Sequence, residues 1–174
     1  MSSEQSPVVD VDRLARDRDG NVVTEKQAWS ALWALLVGFF MILVDTSIVT
    51  TALPATIRAL NANLNHGVWI TSVYLLTYAV PLLITGRMGD RWGPRRMYLI
   101  GMLVFGVSSL ACGLSPTIEA LIAARAVQGI GAALMTPQSL SMIPRLFPPE
   151  KRGAAMGLWG ATAGVASFVG PVLG

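Results

Sequence analysis

The stretch LIAARAVQGIGAALM, residues 121–135, decides how the rest of the chain is read. Its leucines, isoleucines, alanines and glycines suit a helix in hydrocarbon, yet Arg125 stands inside it. An arginine at mid-membrane costs about 2.5 kcal/mol or more even on the lenient insertion scale. Something must offset that cost, and charges inside a membrane mark ion or proton paths more often than they serve packing alone.

The surrounding composition supports a membrane setting. Of 174 residues 53% are hydrophobic and 13% charged, with a mean hydropathy of +0.56. An average soluble domain carries about 25% charged residues. Five apolar segments stand out, at about 29–53, 68–86, 97–115, 117–140 and 153–174. A helix needs about 20 residues to cross the hydrocarbon, and most of these segments lack the polar face of a soluble helix. The expected fold class is an all-α polytopic membrane protein. Residues 1–28 hold ten of the twenty-three charges, without the basic start and apolar run of a signal peptide, and read as a disordered cytoplasmic tail. The fifth span closes on GPVLG at Gly174, which reads as a cut in mid-helix. The expectation is the N-terminal part of a longer protein, with a C-terminal half as its missing partner.

Charge placement orients the spans. Arg13, Arg16, Arg18 and Lys26 lie in the tail, Arg87, Arg91, Arg95 and Arg96 after the second span, and Arg145, Lys151 and Arg152 after the fourth. With the N-terminus inside, those eleven of the thirteen basic residues face the cytoplasm; Arg58 lies outside and Arg125 within a span. The expected location is the cell membrane, with the lipid bilayer as surroundings. Nucleic acid is excluded as a partner, because apolar spans separate the basic groups that would have to share one surface. Cys112 is the sole cysteine and makes no intrachain disulfide.

Arg125 has a candidate partner in Asp45, which interrupts the first span. Asp45 lies nine residues before Pro54 and Arg125 nine after Pro116, and each proline reads as an outer helix boundary. At 1.5 Å per residue both sit about 13 Å below the outer surface. Equal depth permits pairing without requiring it. Such a pair could merely order the bundle, or it could handle protons. A carboxylate beside a guanidinium keeps its charge, and one left alone in a dry cavity takes up a proton. Motion that separates and rejoins the two would therefore couple proton uptake and release to conformation.

The loop GRMGDRWGPRR, residues 86–96, is the strongest local signal. Gly86, Gly89 and Gly93 allow a tight turn and close helix approach, and Asp90 stands among four arginines. The pattern Gly86-x-x-x-Asp90-Arg91-x-Gly93-x-Arg95-Arg96 resembles the signature between helices two and three of the major facilitator superfamily. It departs at Met88 and Pro94, outside the charge cluster. The resemblance implies that Asp90, Arg91, Arg95 and Arg96 hold a cytoplasmic gate. Arg125-x-x-Gln128-Gly129-x-Gly131 resembles the helix-four motif, which implies proton transfer by Arg125. Gly157, Gly160, Gly164, Gly170, Pro171 and Gly174 resemble the helix-five signature of the superfamily's antiporters, though small residues at this spacing also serve generic helix association. Asp45-x-Ser47-Ile48-Val49-Thr50-x-Ala52-Leu53-Pro54 is similar to the helix-one motif of the fourteen-helix drug:proton antiporters, with Ser47 and Thr50 replacing the usual threonine and asparagine.

The remaining expectations are weaker. Trp29, Trp33 and Trp69 read as interface anchors, and His66 as a solvated loop residue. Ser47, Thr50, Tyr74, Tyr78, Pro81, Met135, Pro137 and Gln138 are candidates to line a cavity. The resemblance implies a proton-coupled antiporter that exports small, drug-like or amphipathic compounds by alternating access, with the small-molecule substrate and protons as its partners. The alternatives are a nutrient or ion transporter on the same fold and a non-transporting membrane scaffold. No nucleophile–base pair or metal-ligand cluster points to an enzyme, a metal or a cofactor.

Overall fold

A computed structural model describes residues 24–173, with Leu173 given by its backbone alone. Most of the expected tail and the last glycine of the helix-five pattern, Gly174, lie outside the described residues. Five helices follow one another: α1 (Glu25–Ala59), α2 (Leu64–Trp92), α3 (Pro94–Gly113), α4 (Ile118–Leu146) and α5 (Pro149–Leu173). All five are long and apolar enough to cross a membrane. The chain is thus an all-helical multi-pass membrane protein.

Local chemistry sets the helix ends. Thr24 and Gln27 form a capping box at the start of α1, and Asn63 and His66 form one at the start of α2. His66 is therefore a capping residue, its Nδ1 accepting from the Asn63 amide. Thr117 caps α4 by accepting from the Ala120 amide. Gly93 alone separates α2 from α3; its φ of 92° is open to glycine at little cost, and Pro94 then starts α3.

Three expectations about helix ends need correction. Residues 25–28 belong to α1 and not to a tail, because the capping box starts the helix ahead of the apolar run. Pro54 lies inside α1, which continues to Ala59. An interior proline removes one backbone hydrogen bond, and Thr50, whose carbonyl loses its partner, lies where three side-chain hydroxyls already bond back to the helix. The segment 86–96 is likewise mostly helix: Gly86, Gly89, Asp90 and Arg91 form the last turns of α2.

α4 is the axis of the bundle. It packs along α3 on one flank and α2 on the other, touches α1, and carries more buried residues than any other helix. Its glycines make this possible. A Cβ at Gly131 would lie 2.6 Å from the Phe105 nitrogen of α3, and one at Gly129 would lie 2.6 Å from the Tyr74 carbonyl oxygen of α2. Helix association in lipid rests on such close backbone approach, because hydrocarbon outside is as apolar as the core. α5 packs chiefly along α1, where Phe39 and Trp159 stack at 4.2 Å and Gly170 leaves room for the Ser47 side chain. Leu83, Leu103, Leu110, Phe168 and Val172 point outward, as a lipid-facing surface requires.

The candidate proton-handling site

The charge that opened the problem is answered in the middle of the bundle. Arg125, on α4, is 2% exposed, and its Nη1 donates to Asp45 Oδ2 of α1 at 2.6 Å. The same nitrogen donates to Gln128 Oε1 at 2.7 Å. Gln128, one turn further along α4 and fully buried, donates its Nε2 to Asp45 Oδ1 at 2.8 Å. The three side chains thus close a ring, with both carboxylate oxygens occupied. On the α2 side the guanidinium carbon lies 4.1 Å above the centre of the Tyr74 ring, a cation–π contact. From α3 the Cys112 thiol reaches Gln128 Oε1 at 3.6 Å. Counter-charge, amide and aromatic face together offset the insertion cost of the arginine. Within the ring, Asp45 is the open member, at 16% exposure, while Arg125 and Gln128 are buried.

A second constellation ties α2 to α4 near the Gly93 turn. Gln138, buried on α4, donates Nε2 to the Thr85 carbonyl at 2.9 Å, while the Thr85 hydroxyl donates to the Ala133 carbonyl at 2.8 Å. Gly89 faces the Gln138 amide so closely that a Cβ there would overlap it. Asp90 Oδ1 accepts from Arg145 Nη2 at 2.9 Å, an exposed bridge between the same two helices. Arg91, Arg95 and Arg96 remain exposed beside it. Glu25 accepts from Lys151, joining α1 and α5 at the same end.

The structure distributes the other expected residues unevenly. Gly86 meets no atom where a Cβ would stand, so it serves neither the turn nor a close approach. Gly160 and Gly164 face open space, while Gly170 is buried against Ser47, with Pro171 next to it inside α5. Tyr74 and Gln138 are buried in contacts between α2 and α4; Tyr78 is half-buried, its hydroxyl donating to Thr136 at 3.3 Å, and Thr50 is exposed. Thr85 and Arg145 were missed as partners. Thr85 is a lone hydroxyl at the end of an apolar span, a signal that was available; Arg145 was indistinguishable from its basic neighbours.

The pattern of the Major Facilitator Superfamily matches residues 35–174, a stretch that holds both constellations. The chain belongs to that superfamily. Among similar superfamily members, an uncharacterized MFS-type transporter of Mycobacterium tuberculosis is 55% identical over 149 residues, covering 86% of this chain and 26% of that protein. The tetracenomycin C resistance and export protein of Streptomyces glaucescens is 40% identical, covering 84% of this chain and 27% of that protein. The probable multidrug resistance protein EmrY of Escherichia coli is 36% identical, covering 84% and 28%. The chain therefore spans about a quarter of the length of these superfamily relatives.

Proposed function

We propose that this chain is part of a proton-coupled antiporter that exports small, drug-like or amphipathic compounds by alternating access, in a cell membrane with its N-terminus in the cytoplasm. The observation that carries the reading is the closed ring of Asp45, Arg125 and Gln128. A carboxylate that bonds a buried guanidinium in one conformation, and is parted from it in another, gains and loses a proton as the helices move. Asp45 is the group that takes the proton, and it is the member of the ring with access to the surroundings. Arg125 is the fixed charge that expels it. Relatives named for drug resistance and export support the direction of transport.

Orientation and gating follow the charge distribution. Lys26, Arg87, Arg91, Arg95, Arg96, Arg145, Lys151 and Arg152 all sit at the end of the bundle that holds the Gly93 turn. That end is cytoplasmic by the excess of positive charge on inner loops. There the Asp90–Arg145 bridge and the Gln138–Thr85 bond hold α2 against α4, and Asp90 with Arg91, Arg95 and Arg96 form the gate. The rest of the protein supplies the other half of the substrate path.

The test is gradient-driven efflux by the full-length protein in everted vesicles, parent against Asp45→Asn. The variant should lose transport driven by a pH gradient while keeping gradient-independent substrate exchange. Gradient-driven transport that survives Asp45→Asn would overturn the reading.

A further inference from the structure

Arg125 is held from three directions, and the coupling scheme uses only one of them. Asp45 comes from α1, Gln128 from the arginine's own helix, and the Tyr74 ring from α2. A movement of α1 against α2 and α4 takes the carboxylate away, while the close α2–α4 contact keeps the ring beside the guanidinium. A buried guanidinium without its counter-ion then depends on what remains, and the pull of an aromatic face on a cation is strongest where water is excluded.

The α2–α4 contact brings the Tyr74 ring to Arg125, while its hydroxyl lies within hydrogen-bonding reach of Thr46 on α1. Gly129, one turn beyond Arg125, lacks a Cβ where the Tyr74 carbonyl oxygen, the Thr77 hydroxyl and the Tyr78 nitrogen of α2 press in. That notch lets the two helices approach until the Tyr74 ring lies beneath the guanidinium. Tyr74 is 3% exposed, its ring is parallel to that of Tyr78 at 6.2 Å, and Tyr78 is tied to Thr136 of α4. The ionisable groups around Arg125 are Asp45 from α1, Tyr74 and Tyr78 from α2, and Cys112 from α3. Among them Asp45 is the one carboxylic acid.

We propose that Tyr74 is a positioning residue for Arg125: its ring face holds the guanidinium in place when Asp45 is neutral or withdrawn, and Gly129 exists to put the ring there. The inference rests on the reading of Asp45 as the proton carrier, since only then does the protein pass through a state with a neutral Asp45.

The decisive measurement is thermal unfolding of the full-length protein in detergent, with Tyr74→Phe and Tyr74→trifluorophenylalanine each placed in the parent and in the Asp45→Asn background. Fluorine drains electron density from the ring face at nearly constant size, so a role in packing alone is insensitive to it. Tyr74→Phe gives up only the hydroxyl and its Thr46 contact, so it should shift Tm alike in both backgrounds and serves as the reference for the fluorinated ring. Tyr74→trifluorophenylalanine should lower Tm below that reference by roughly 2–4 °C or more in the Asp45→Asn background and by clearly less with Asp45 intact. Equal Tm values for the two variants in both backgrounds, or the same drop in both, would sink the inference. Because this readout is stability and the proton reading is judged by transport, the two fail separately.

Discussion

At the scale of single residues, the interior of this bundle is governed by groups that have few alternatives. Asp45, Arg125 and Gln128 bond one another pairwise in the interior of the bundle, so removing any corner costs each of the other two one of its hydrogen bonds. Gly89 shows the same economy without charge. Its missing Cβ leaves the space that the Gln138 amide fills on its way to Thr85. Gly89→Ala should therefore displace that buried amide and cost about 1–3 kcal/mol, the range for a buried polar group left unpaired. Gly86→Ala, with nothing near the added methyl, should stay within about 0.5 kcal/mol of the parent. Thermal unfolding of the two variants side by side checks the contrast. Arg125 and Asp45 were legible as a candidate pair because charged residues are so rare inside the apolar runs. The separate roles of Gly86 and Gly89 were not, since spacing alone does not say which glycine faces a neighbour.

At the scale of helices, α4 presents one glycine to each neighbour, Gly129 to α2 and Gly131 to α3. The atoms opposite them are largely backbone and cannot swing aside, so Gly129→Ala or Gly131→Ala forces whole helices apart. Each should destabilise the bundle by about 1–3 kcal/mol through overpacking, with faster hydrogen exchange at the facing turn of α2 or α3 respectively. An unchanged exchange pattern would show that the helices do not meet there. Five helices were readable from hydropathy because crossing the hydrocarbon demands a long apolar run. Their ends were less readable. Pro54 looks like a boundary by the rules of soluble helices, yet α1 continues past it, with local hydroxyls beside the interrupted bond. Which side chains line a cavity was the least readable feature. In a soluble helix the polar face marks the outside, but here the lipid and the core are both apolar, so sequence could not say whether Tyr74 and Gln138 would meet a cavity or a neighbouring helix.

At the scale of the molecule, the bundle has one end rich in guanidinium and ammonium groups and another that carries Arg58 alone among the described basic residues. If that asymmetry sets orientation, single cysteines placed in a Cys112→Ala background report it directly. In intact cells a cysteine at Trp92 should resist a membrane-impermeant thiol reagent, and one at Asn61 should react. The reverse pattern would invert the proposed topology. The face of α5 that carries Gly160 and Gly164 is open in the described residues, and the relatives are about four times as long as the matched segment. If the chain is part of a longer protein, as proposed, that surface is where the remaining helices should seat.

The join at Gly93 has a mechanical consequence. α2 and α3 are connected by a single residue, with helix running up to it on one side and restarting at a proline on the other. A long loop would let the two helix ends drift apart; a single linking residue keeps them together however either helix turns. Tyr98 on α3 donates its hydroxyl to the Ala34 and Leu35 carbonyls of α1 at 2.9 and 3.2 Å, in the space left by Gly38. The same hydroxyl thus pins α3 to the α1 backbone, so a rotation of α3 would pull on α1 ten residues before Asp45.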